Sequence, residues 1–216
     1  YERIKVSSIQ RGFKNGFRAT NKDLILFSTI FNKAINIWQY SIVNFPSKIT
    51  KFPVSKGIYR PIKYYEHRKL LKLANPYQKL VLMIARHTGM RPSEIFQLTW
   101  VDIDRERKKI IVRSDISKTN ESREIDVNIF LLRLIFKNKN NNSKYIITIS
   151  RISFRFWFYR TVKSLNYQNL IFYNYRRQFV QTLADKGKTI PYIASQTGHS
   201  SWSMVARYYG HKSLRN

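Results

Sequence analysis

Thr88-Gly89-Met90-Arg91-Pro92-Ser93-Glu94-Ile95, continued by Leu98-Thr99-Trp100-Val101-Asp102-Ile103-Asp104, is the stretch that decides what this chain folds into. Arg91 stands among small and apolar neighbours, which argues for a partly enclosed cation rather than one on a solvated face. Glu94 follows one turn later, as a partner for that cation or as a first-turn acid favoured by the helix dipole. Asp102 and Asp104 alternate after a helix end and read as turn and capping residues, not as metal ligands.

Upstream, Tyr65–Leu73 and Tyr77–Arg86 read as helices separated by Asn75-Pro76, and the apolar run Leu80, Val81, Met83, Ile84 makes the second one central. Downstream, Lys109–Arg113 and Arg123–Val127 are β-branched runs flanking the polar Ser117-Lys118-Thr119-Asn120-Glu121. That pattern predicts an antiparallel hairpin with Lys118 at or near its turn. The Lys- and Asn-rich run 137–143 is expected to be a loop, followed by a short strand over Tyr145–Thr148. Helices are expected over Ser150–Ser164, Asn174–Asp185 and Ile190–Gln196, and a short helix or extended turn over Ser201–Tyr209.

Toward the other end, residues 1–18 are basic and punctuated by Gly12 and Gly16. A long amphipathic helix is expected after an N-cap at Thr20 or Asn21, with Leu24, Ile25, Phe27, Ile30, Phe31, Ala34, Ile35 and Trp38 on its apolar stripe. Pro46, Pro53, Gly57 and Pro61 lie among Lys and Ser, which places a linker there and a domain boundary near Lys56.

The 216 residues hold 40 Lys and Arg against 12 Asp and Glu, a formal charge of +28. The charge is spread along the chain, and 43% of residues are hydrophobic, so a packed protein lying along a polyanion is expected rather than a basic tail. Composition alone leaves DNA and RNA equally open. Cysteine is absent, which excludes disulfides, thiol nucleophiles and thiolate metal sites and fits an intracellular setting. No apolar run approaches the roughly 18 residues of a membrane span, and no secretory leader is read. Tyr at position 1 fits a piece of a longer protein.

Two motifs fail on inspection. Gly187-Lys188-Thr189 imitates the end of a phosphate-binding loop, but Thr182 stands where its first glycine belongs. His67, His87, His199 and His211 lack metal-ligand spacing. A third pattern stays open: Ile190–Tyr208 also reads as a helix-turn-helix, with Ile193, Ala194, Gly198 and Val205 at core and turn positions.

The 88–104 stretch resembles the first active-site box of the tyrosine recombinases, or phage-type integrases, with Arg91 at the position of the catalytic arginine. Lys118, ahead of Arg123-Glu124-Ile125, resembles the family's β-hairpin lysine. Tyr173-Asn174-Tyr175-Arg176, with Phe179 and Ala184-Asp185-Lys186-Gly187 after it, is similar to the His-x-x-Arg helix, with Tyr173 where His is usual. Thr197-Gly198-His199-Ser200-Ser201 followed by Arg207-Tyr208 resembles the Gly-His box and nucleophile, and the nine-residue spacing selects Tyr208 over Tyr209. The boxes occur in the family's order across about residues 88–211.

This resemblance implies an α+β fold: a mainly helical catalytic domain with a small antiparallel sheet over 57–216, preceded over 1–56 by part of an all-α core-binding domain. It implies a DNA strand transferase that attacks a phosphodiester with Tyr208, forming a 3′-phosphotyrosyl bond that a 5′ hydroxyl later reseals. Arg91 and Arg176 would hold the nonbridging oxygens with planar, always-charged donors. A phenol of pKa ~10 needs a base and a cationic pocket, which gives His199 a part in proton transfer or phosphate bonding. Lys118 would protonate the leaving 5′ oxygen, its pKa pulled down by neighbouring cations. Tyr173 can hydrogen-bond a phosphate but cannot replace imidazole as a base. The implied partners are duplex DNA and further copies of the chain, as a homo-tetramer on paired sites, and no cofactor or metal is called for. The alternatives are a degenerate recombinase that binds DNA without cutting and a noncatalytic helix-turn-helix or basic nucleic-acid-binding protein.

Overall fold

A computed structural model describes residues 16–54 and 60–206. The boundary expected near Lys56 lies outside the described residues, as do Tyr208, Tyr209 and His211. The chain divides into two compact units, Tyr1–Ile58 and Tyr59–Asn216.

In the first unit, helix α1 covers Gly16–Asn36 and a short α2 covers Phe45–Lys48. The cap expected at Thr20 or Asn21 is not one. Thr20 lies inside the helix, and its hydroxyl donates to the Gly16 carbonyl at 2.9 Å. Asn21 exchanges two 2.9 Å bonds with the backbone of Phe52. The expected apolar stripe is also only partly covered. Leu24 and Ala34 are buried, while Ile25, Phe27 and Ile30 are exposed and Trp38 falls beyond the helix end.

The second unit opens with α3 (Tyr64–Leu73) and α4 (Pro76–Thr88). Asn75 caps α4 by accepting from the Gln78 N–H at 2.9 Å, with Pro76 in the first turn where no backbone N–H is needed. Leu80, Val81 and Ile84 are fully buried, and at about 1.5–3 kcal/mol for each such side chain they make α4 the central element. Pro92–Ile95 forms a single turn, α5. The sheet then runs in order β1-β2-β3, antiparallel throughout, from Ile103–Asp104, Lys109–Val112 and Arg123–Asp126.

Next come α6 (Ile129–Lys137), α7 (Arg151–Ser164), α8 (Asn174–Asp185), α9 (Ile190–Thr197) and α10 (Trp202–Ala206). The strand expected over Tyr145–Thr148 reduces to one bridge between Tyr145 and Thr99, with Ile146 and Ile147 buried as core rather than as sheet. The fold is α+β, mainly helical with a small antiparallel sheet, as expected. Asp102 accepts from the backbone and hydroxyl of Thr99 and pairs with Arg113, while Asp104 accepts from the Arg107 N–H. Both are the turn and capping residues expected. None of the described helices is long and apolar enough to cross a membrane.

Candidate active site

Three elements of the second unit bring the expected boxes together. Helix α4 ends at Gly89, whose φ of +60° suits glycine and whose α-carbon lies against the ring of Phe179, where a Cβ would collide. That close approach joins α4 to α8. It also lets Nη1 of Arg176, one turn before Phe179, donate to the Gly89 carbonyl at 2.9 Å. Arg91 begins two residues later as the N-cap of α5, and Nη2 of Arg91 donates to the carbonyl of Gly198 at 2.7 Å, just past the end of α9. Arg91 is thereby tied to the turn that carries His199, and Arg176 to the end of α4 two residues before Arg91.

Glu94 is the partner of Arg91, at 2.8 Å, and it is completely buried. Burial pushes its carboxyl up, but hydrogen bonds and charge from Arg123 and Arg91 outweigh it and hold it below the usual range. Arg176 is almost fully buried, and burial, followed by the charges of Arg91 and Arg123 against a favourable Tyr173, lowers it to about 10. Its Nε and Nη2 are buried with no hydrogen-bond partner among the described residues.

His199 is lowered to about 4 by burial and then by Arg176, Arg91 and Arg123, so it is neutral near pH 7. Its Nδ1 lies 2.7 Å from the Thr197 hydroxyl, which donates its one hydrogen to the Ile193 carbonyl at 2.6 Å. Thr197 can then only accept, so Nδ1 carries the ring proton and Nε2 is left with its lone pair.

The other expected residues sit as follows. Lys118 is exposed in the β2–β3 connection and makes no hydrogen bond or ion pair among the described residues. Its neighbours Thr119, Glu121 and Ser122 border a cavity of about 590 Å³ that His199, Gly198 and Arg123 also line. Tyr173 is half-exposed at the start of α8, with the Arg177 guanidinium 5.8 Å from its ring centre. Arg177 is therefore turned to that ring, and Arg176 alone of the pair points to Gly89. Tyr208 lies outside the described residues. The helix-turn-helix pattern also has a counterpart: Ile193, Ala194 and Val205 pack with Val180 and Ala184 of α8, and Gly198, which ends α9, is left-handed. Its turn serves Arg91 as an acceptor.

Arg123 escaped the sequence reading. Its guanidinium spans both oxygens of Glu94, at 3.1 and 2.6 Å. Strand alternation carries the signal: Arg123, Ile125 and Val127 share one face, and Ile125 and Val127 are buried. A cation on a buried face needs a buried anion.

The model of the phage integrase family matches residues 62–215. The integrase of Salmonella phage P22 is 24% identical over 174 residues, 72% of this chain and 44% of that protein. A XerD-like tyrosine recombinase of Streptococcus thermophilus is 27% identical over 135 residues, 61% of this chain and 51% of that protein. The chain thus spans about half the length of the curated relatives it matches. Among solved structures, lambda integrase bound to DNA superposes with a TM-score of 0.74 at 17% identity, over 100% of this chain and 82% of that one. The Tn1549 transposon integrase in complex with a circular intermediate DNA gives 0.68 at 20% identity, over 88% and 74%.

Proposed function

The chain belongs to the phage integrase family, the tyrosine recombinases, and from that premise we propose that it cleaves and rejoins duplex DNA at specific sites through a covalent tyrosyl intermediate. The observation that carries this reading is Arg176, a buried guanidinium with two unpartnered nitrogens among the described residues, beside Arg91 and a neutral His199. Leaving buried donors unmade is costly, and an arriving phosphate oxygen would fill them.

In the proposed step the Tyr208 oxygen attacks the scissile phosphorus, forming a P–O bond at the 3′ side while the bond to the 5′ oxygen breaks. The phenolic proton passes to Nε2 of His199, whose basicity rises once the phosphate charge offsets Arg176, Arg91 and Arg123. The leaving 5′ oxygen takes a proton from Lys118. Arg91 and Arg176 stabilise the charge that grows on the nonbridging oxygens. Tyr173 contributes a hydrogen bond to the phosphate and no base. The distributed basic residues grip the backbone, so affinity falls steeply with salt, and four copies assemble on two paired sites to exchange strands.

A nicked suicide DNA substrate tests this. The expected result is a covalent adduct that survives denaturation, disappears in Tyr208→Phe and persists in Tyr209→Phe. Tyr173 at the usual His position favours a second reading, a binder that no longer cuts. DNA retention without any adduct would establish that one instead. Strand exchange between two sites separates a recombinase from an enzyme that only relaxes DNA.

A further inference from the structure

Glu94 is fully buried, and four hydrogen bonds converge on its carboxylate. Oε1 accepts from Nη1 of Arg91 at 2.8 Å and from Nη1 of Arg123 at 3.1 Å. Oε2 accepts from the backbone N–H of Arg91 at 2.7 Å and from Nη2 of Arg123 at 2.6 Å. An ionised carboxylate has about four lone-pair sites, so Arg123 fills half of them and none is left over. The Nε of Arg123 donates to the Gln196 carbonyl at 3.2 Å, two residues before Gly198. A Cβ on Gly198 would lie 3.0 Å from Nη1 of Arg123, while the Gly198 carbonyl accepts from Arg91. Both arginines therefore bear on the turn that presents His199. The side chain of Gln196 adds two more bonds to the same strand, accepting from the Asp126 N–H at 2.8 Å and donating to the Glu124 carbonyl at 3.4 Å.

We propose that Arg123 is a positioning residue: through Glu94 it sets the orientation of Arg91, and through Gln196 and Gly198 it fixes the His199 turn to the strand that leaves the Lys118 loop. The proposal rests on the reading of Arg91, His199 and Lys118 as reacting groups. It follows from where the chain goes. Lys118 lies in the β2–β3 connection, and Arg123 is the first residue of β3, so anchoring Arg123 anchors one foot of that loop. Glu94 by itself gives Arg91 one side-chain and one backbone bond. With two of its acceptor sites empty, the carboxylate is free to turn, and Arg91 turns with it. A misplacement of about 1 Å at a reacting group is enough for a ~10²-fold loss of rate.

The test uses the full chain with Arg123→Lys, which keeps the charge and loses the fork, and Arg123→Gln as a second variant. Single-turnover adduct formation at saturating suicide DNA is expected to fall about 10²-fold in both, with the DNA dissociation constant little changed; Arg123→Lys keeps a cation against Glu94 and melts close to the parent, whereas Arg123→Gln breaks the buried pair and melts lower. Adding Glu94→Gln to Arg123→Lys is expected to cost little more than the larger single loss, since both act through one carboxylate. Losses that multiply, or rates equal to the parent's, overturn the proposal. An independent arm reads the Arg91 guanidinium directly, by ¹⁵N relaxation of its Nε–H, assigned with Arg91→Lys. Order in the parent and mobility in Arg123→Lys are expected, and an unchanged signal overturns the proposal. If the parent forms no adduct, the recombinase reading falls, and the relaxation arm still decides the role of Arg123.

Discussion

Arg91 and Arg176 reach the same cleft from different helices and are held by opposite means. Arg91 is braced by a buried carboxylate and by the Gly198 carbonyl, and only a modest part of it meets solvent. Arg176 has no carboxylate of its own: one bond to the Gly89 carbonyl holds it, and its Nε and Nη2 are unpartnered among the described residues. The first arrangement fixes a cation in place, whereas the second leaves one short of an anion. On the proposed reading, placement and phosphate binding are divided between the two, and the division predicts that stability and activity respond differently to their loss.

Replacing Arg176 gives the largest effect. Arg176→Met removes a buried, under-bonded charge and keeps most of the apolar stem, so the variant is expected to melt no lower than the parent. Its adduct formation is expected to drop by roughly 10³-fold, since at least one phosphate donor is lost from a water-poor site. A melting temperature that falls as far as in the Glu94 variants would break the comparison.

Glu94→Gln is expected to cost stability, which Arg176→Met does not, besides the activity lost when Arg91 is no longer held. It leaves Arg91 and Arg123 buried against a neutral amide, and breaking such a pair costs about 3–5 kcal/mol, readable by urea unfolding. The pH dependence has a definite sign. Glu94 in the folded chain is held below its unfolded value, so its contribution is complete above roughly pH 4.3. It is lost as pH falls toward the depressed folded value. The parent should therefore lose stability faster than Glu94→Gln on acidification below that point.

A third measurement sharpens the contrast at His199, which is held to about 4 by burial and by the three arginines. Adding a duplex with an uncleavable scissile linkage should raise its titration midpoint by at least about one unit, a tenfold change in proton affinity, as seen by NMR. An unmoved midpoint would mean that the phosphate does not sit among these cations.

Much of this cleft is written locally. Asn75-Pro76 specifies the start of α4, and the β-branched runs around Lys118 specify the hairpin, because each depends on residues a few positions apart. The gaps have physical causes. Helix α6 went unread because Ile129-Phe130-Leu131-Leu132 and Leu134-Ile135-Phe136 are apolar nearly throughout, which hides the helical period. Tyr145–Thr148 has strand composition, but only one bridge to Thr99 is available to pair it. Thr20 is a strong cap type that the helix absorbs by bonding its hydroxyl to Gly16. The Arg123–Glu94 fork joins residues 29 positions apart, and only the inward register of β3 hints at it.

The smallest expected effect lies at Tyr173, where the family's pattern and this chain part. Phenol at pKa ~10 donates a hydrogen bond near neutral pH but accepts no proton, whereas imidazole at pKa ~6.5 accepts one. Tyr173 is half-exposed, with Arg177 over its ring and Arg176 within electrostatic reach. A histidine placed there would feel the same cations, which favour its neutral, proton-accepting form. Tyr173→His is therefore expected to speed adduct formation about tenfold, less than the ~10²–10⁴-fold that a positioned base typically contributes, and to leave DNA affinity unchanged. The opposite result also has a structural meaning. The Tyr173 ring lines an apolar cavity of about 320 Å³ with Phe154, Phe158 and Phe172, which a smaller imidazole would fill less well. Slower cleavage with a lowered melting temperature would make Tyr173 a packing residue, and slower cleavage at an unchanged melting temperature would make its hydroxyl the phosphate donor.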